Sequence, residues 1–81
     1  MVSILGYVKT SEYRKKTLLE LTKGYRIPSE IAKATDIRVT HISRSLKHLK
    51  DKKLVECLNE QDKRGRVYKL TDKGVKIVEY L

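Results

Sequence analysis

The sequence has no tryptophan and no phenylalanine, and its five tyrosines are spread along 81 residues. Few flat side chains are therefore grouped for stacking on unpaired bases, which ranks capture of RNA or single strands below other readings. A single cysteine, Cys57, excludes an internal disulfide and fits a reducing compartment. Its setting, LVECL, suggests a strand residue that packs as a small hydrophobe; with no resolving partner it does not read as a redox switch. No apolar run approaches the ~20 residues needed to span a bilayer, so no membrane partner is expected. The opening MVSILGYVKT lacks a basic start and a small-residue cleavage site, which argues against a secretory signal and for a cytoplasmic location.

Acidic residues are also scarce. Ten Asp and Glu stand against 19 Lys and Arg, a formal net charge of +9. Residues 1–37 hold 7 basic and 4 acidic side chains, whereas 38–81 hold 12 and 6, so the excess is concentrated in the second half. From Arg38 to Lys53 there are six basic residues and one acid, Asp51. Such a field attracts polyanions and speeds encounter, and nucleic acid is the commonest polyanion partner of a small basic domain.

Catalysis finds little support. His41 and His48 are seven residues apart, but neither Cys57 nor the scattered acids complete a metal-ligand spacing around them. There is no glycine-rich phosphate loop after a strand, and no Ser-His-Asp or paired-carboxylate arrangement. The expectation is a protein that is not an enzyme, with no cofactor and no metal. The length suits one small domain over 1–81, with little room for a separate effector-binding module.

Residues 29–55, SEIAKATDIRVTHISRSLKHLKDKKLV, read as two short helices joined by a tight turn. At 100° per residue Ile42, Leu46 and Leu49 share a narrow arc with Val39 at its edge, which makes them a buried stripe. Opposite stand Thr40, His41, Arg44, Lys47 and His48. A polar face is needed merely to keep an amphipathic helix in water. This one, however, is rich in donors suited to phosphates and base edges, and its one acid sits near the C-terminal end.

Upstream, Ser11 to Lys23 reads as a helix supplying Leu18, Leu19 and Leu21 and stopped by Gly24. Tyr25 to Ile27 is an extended link, because Pro28 disfavours helical geometry before it. Pro28 and Glu30 suit the first turn of the next helix, Pro28 to Thr35, which buries Ile31 and Ala32, with Ala34 small enough for a close crossing. Asp36 takes the turn and Ile37 anchors it. Arg14, Lys15 and Lys16 read as an exposed helix face.

Downstream, Leu54 to Asn59 and Arg66 to Leu70 read as the two strands of a hairpin. Its tip carries Lys63, Arg64 and Arg66, and flexible arginines are the usual minor-groove readers. Thr71 caps a last helix running to Leu81. There Val75, Ile77, Val78, Tyr80 and Leu81 cover more than one face, and Val2, Ile4, Leu5, Tyr7 and Val8 form a similar surplus at the start. Two apolar termini suggest a homodimer through terminal segments; the alternative is that they cover one another within one chain.

The order helix, helix, helix, strand, strand, helix resembles a winged helix-turn-helix regulator of the MarR/ArsR-like kind, and the small basic form is most similar to archaeal members. The resemblance covers about residues 11–74 and is carried by SEIAKATDI, THISRSLKHLKDKKLVE and GRVYKLTDKG. It implies an α+β, mainly α fold of three helices, a two-stranded wing and a C-terminal helix. The helix-turn-helix would occupy about 28–52, the wing about 54–70 and the last helix about 72–81. It further implies a sequence-specific, double-stranded DNA-binding transcription regulator associated with the nucleoid. Thr40, His41, Arg44 and Ser45 would touch bases, Ser43 and Lys47 phosphates, and Lys63, Arg64 and Arg66 would be wing contacts. Arg38 stands where such families often have a Ser or Thr cap, which weakens the cap and offers a phosphate ligand; Asp36 replaces a usual glycine. The alternatives are a protein-interaction module of a larger assembly, working through the apolar termini, and a non-specific nucleic-acid-binding protein.

Overall fold

The computed structural model describes residues Ser3 to Leu81; Met1 and the expected apolar residue Val2 lie outside the described residues. Among the described residues five α-helices and one two-stranded sheet follow in the order α1 (Ile4–Lys9), α2 (Glu12–Glu20), α3 (Pro28–Thr35), α4 (Val39–Asp51), β1 (Val55–Cys57), β2 (Tyr68–Leu70) and α5 (Asp72–Val78). The fold is a winged helix, as expected, with one helix more than the sequence suggests.

That extra element is α1. Its N-terminus is capped by the Ser3 hydroxyl, which accepts from Gly6 N–H at 3.0 Å, and its last residues are secured from α2. Arg14 Nε donates to the Tyr7 carbonyl at 2.9 Å, and the guanidinium lies 3.9 Å from the centre of the Tyr7 ring. Arg14 is therefore a half-buried clasp, not part of a free basic face. Ser11 caps α2, and the α-helical path ends at Glu20; Leu21–Lys23 tighten into a 3₁₀ turn before Gly24, whose φ of 124° ends the run.

Helix α3 occupies the expected span. Pro28 fills its first turn, where a missing N–H costs nothing, and Glu30 Oε1 accepts from the Ile27 N–H at 2.9 Å. Asp36 adopts φ 58°, ψ 29°, the left-handed geometry that turns the chain sharply into α4. Ala34 is exposed, so the close crossing expected there does not form.

The core gathers one stripe from each layer: Val8, Leu18 and Leu21, then Ile31 and Ile37, then Ile42, Leu46 and Leu49, closed by Leu54, Val55 and Tyr68. The hairpin is antiparallel, pairing Val55 with Leu70, Glu56 with Lys69 and Cys57 with Tyr68. Its strands are shorter than expected because the ladder stops after Cys57, with only Leu58 N–H to Val67 O continuing it at 2.8 Å. Arg26, in the extended link, exchanges both backbone bonds with Tyr68 at 3.1 and 2.9 Å and so adds a third, one-residue strand. The link thereby ties the entry of α3 to the wing.

Helix α5 ends at Val78, three residues short of the expected Leu81. Ile4, Tyr7, Ile77, Val78 and Leu81 pack against the core, and Val8 is fully buried, so much of the terminal apolar surplus is used within the chain. Val75 and Tyr80 stay 47% and 66% exposed. Among the described residues no helix is long and apolar enough to cross a membrane.

Candidate nucleic-acid interface

The outer face of α4 follows from its inner one. Ile42, Ser45, Leu46 and Leu49 are buried, which turns Thr40, Ser43, Arg44 and Lys47 outward. Arg38 is exposed at the helix entry, and no side chain caps the first turn, as its cap position led us to expect. Ser45 is the exception among the expected contacts: at 5% exposure it faces the core and has no access to a base edge. The reason is angular, since Ser45 lies only about 60° around the helix from Ile42, on the edge of the buried arc.

His41 and His48 flank that arc and are half-buried. The His41 ring stacks on Tyr13 of α2, centroids 4.7 Å apart and planes 25° from parallel. Tyr13 thus orients a side chain in the first turn of α4. Sequence reasoning missed it, because the pairing depends on how α2 crosses α4 and no local spacing encodes that.

Lys63, Arg64 and Arg66 are all exposed on the wing loop. Arg66 Nε donates to the Asp62 carbonyl at 2.7 Å, which fixes the root of its guanidinium. Between α4 and the wing runs a groove of about 540 Å³ bordered by Ser43, Lys47 and Lys50 on one side and Lys63 and Arg66 on the other. Helix and wing residues separated by about twenty positions in sequence therefore line one concavity. Lys50 was missed as a member; it points toward the wing and pairs with Glu60. Asp51 also borders the groove and tempers its positive potential.

Cations gathered along one groove can neutralise phosphates, while the exposed Thr40 and Arg44 can donate to base edges. No group of three or more His, Cys, Asp or Glu that could hold a metal occurs among the described residues. Cys57 is half-buried in β1, with its thiol 3.7 Å from Asn59 Oδ1.

A family model described as winged helix-turn-helix matches residues 16–81. The chain belongs to that family. Among solved structures, the winged helix is similar to a mutant of MarR from E. coli in complex with operator DNA, with 31% identity and a TM-score of 0.76 over 94% of this chain and 56% of that one. It is likewise similar to a mutant of MepR from S. aureus bound to an oligodeoxyribonucleotide, with 29% identity and a TM-score of 0.77 over 93% and 57% of the two chains. A Lactococcus lactis ZitR mutant, at 21% identity and a TM-score of 0.75 over 86% and 49%, shares the fold. The winged helix spans about half the length of these solved chains. No curated protein sequence matches it. Its fold is thus similar to that of MarR-family DNA-binding transcription regulators.

Proposed function

We propose that this winged helix is a transcription regulator that binds a specific sequence in double-stranded DNA. In this reading α4 enters the major groove, with Thr40, His41 and Arg44 toward base edges and Arg38, Ser43, Lys47 and His48 toward the backbone. The wing lies along the adjacent backbone or minor groove through Lys63, Arg64 and Arg66. The observation that carries it is the shared groove: Lys47 from α4 and Lys63 and Arg66 from the wing border one concavity. The similar structures of MarR complexed with operator DNA and of MepR bound to an oligodeoxyribonucleotide support it. Lysines and arginines on phosphates supply most of the affinity, and the first turns of α4 supply the selectivity. Such a protein acts on the nucleoid in the cytoplasm, by binding and not by catalysis.

A homodimer is part of the proposal. Val75 and Tyr80 remain exposed beside the packed part of α5, and a two-fold pair would present two α4 helices to successive turns of one duplex. The same exposed residues are what a protein-interaction module would use.

The test is repeated selection of the purified protein on a randomised duplex library. Enrichment of a symmetric site supports a dimeric, sequence-specific regulator. Salt-sensitive retention with no enriched sequence replaces it with general DNA coating, and no retention near physiological salt moves the function to the protein-interaction module.

A further inference from the structure

We propose that Asn59 is the positioning residue of the wing, holding the loop in its DNA-facing shape so that Lys63, Arg64 and Arg66 meet a duplex already ordered; the inference rests on the DNA-binding reading above. The loop from 60 to 66 has little backbone support of its own. Its internal bond is Asp62 N–H to the Asn59 carbonyl at 3.0 Å, and the strands beneath it are three residues each. Leu58 N–H donates to Val67 O at 2.8 Å at its base, and above that bond the span is closed by one carboxamide. Asn59 Oδ1 accepts from the Val67 N–H at 2.7 Å and from the Cys57 thiol at 3.7 Å. Asn59 Nδ2 donates to Asp62 Oδ2 at 2.9 Å and to the Gly65 carbonyl at 3.1 Å. Both amide hydrogens and both acceptor directions are therefore in use, which is the full capacity of the side chain.

These bonds fall on the points that set the cations' directions. Asp62 precedes Lys63, and its carbonyl also anchors Arg66 Nε at 2.7 Å. Gly65 sits between Arg64 and Arg66 at φ 65°, the left-handed turn that folds the loop back. Asn59 thus grips the loop on either side of its three cations. A further tie, Lys50 to Glu60, has side chains 41% and 55% exposed, and such a pair is screened by salt and holds a loop weakly. Asn59 is half-buried, and the bond its Oδ1 accepts from Val67 N–H is partly sheltered from water, whereas its two donated bonds are exposed and hold by acting together.

Preorganisation lowers the ordering cost of binding, so its loss reads as weaker affinity only while the ordered groups are there to bind. The experiment is a cycle on one duplex at fixed salt. Asn59→Ala is made in the wild-type chain and in a Lys63→Ala/Arg64→Ala/Arg66→Ala background. The expected result is roughly tenfold weaker binding in the first and less than about twofold in the second. Equal losses in both backgrounds, or no loss in the first, overturn the role of Asn59 while leaving the DNA reading in place. A wild-type chain that binds no duplex removes the DNA reading itself. Amide hydrogen exchange on the free protein tests the bracket without DNA: Asn59→Ala should speed exchange at Asp62 and Val67 and spare α4, and unchanged exchange at those two amides overturns the proposal. Should the alanine variant not fold, Asn59→Asp keeps the acceptor for Val67 but loses both donated bonds and sets a second carboxylate beside Asp62. It should show the same dependence on the wing cations.

Discussion

Gly74 has no room for a side chain: a Cβ there would stand 2.1 Å from the Leu54 carbonyl oxygen and 3.3 Å from the Leu70 side chain. The backbones approach this closely because Thr71 staples the entry of α5 to the end of α4. Its hydroxyl donates to Lys53 O at 2.6 Å, its N–H donates to Leu54 O at 3.1 Å, and the same hydroxyl accepts from Gly74 N–H at 3.1 Å. Gly74→Ala gains the helix propensity of alanine but must push two backbones apart, so it should destabilise the fold by roughly 1–3 kcal/mol in urea unfolding. A variant as stable as the wild type would contradict that packing. On α4, Arg44 is exposed, and a guanidinium on a guanine edge is bidentate. Arg44→Ala should then cost about 1–3 kcal/mol on the preferred duplex and much less on a scrambled one; equal losses on the two would move Arg44 to the backbone. Individual residues were unevenly legible in the sequence. Thr40, Arg44 and Lys47 were readable as outward, because helical arithmetic fixes them once Ile42, Leu46 and Leu49 are inside, whereas His41 and His48, read the same way, are half-buried at the edges of the arc. The same arithmetic, applied fully, returns Ser45 to the core, whereas Tyr13 beneath His41 and Arg14 against Tyr7 depend on how helices cross.

Elements were legible in proportion to how much of their determination is local. Helix α3 could be bounded to the residue, since Pro28 starts it and the left-handed Asp36 ends it. Helix α1 could not: six residues including a glycine, ILGYVK, carry little intrinsic helicity, and the Arg14 clasp that secures them comes from another helix. The wing strands were visible as apolar and alternating stretches, but the loop they support is shaped by the Asn59 carboxamide, and no period or turn signature announces a side chain bonded across eight positions. Helix α4 carries its own trade-off. Arg38 occupies the cap position and makes no side-chain bond to the first turn, where Ser would accept from a free N–H. Arg38→Ser should therefore raise stability by about 1 kcal/mol while weakening duplex binding at low salt. If the melting temperature rises and affinity is untouched, Arg38 is no phosphate ligand; if neither changes, the missing cap has no cost.

At the scale of the molecule, net charge matters less than where it faces. Lys47, Lys50, Lys63 and Arg66 converge on the groove between α4 and the wing, and Arg38, Arg44 and Arg64 are exposed on the same two elements. A field focused in this way would draw in a duplex from a distance and orient it before contact. The uncovered apolar residues on and after α5, Val75 and Tyr80, do not border this groove. The most direct test of the central claim, that α4 and the wing together form a face for duplex DNA, is a nitrogen-15 amide titration of the protein with a short duplex. The account predicts shifts concentrated at residues 38–47 and 60–66, reversed by added salt, with α1 and α5 little changed. Shifts confined to α5, or none at a DNA excess near physiological salt, would contradict it.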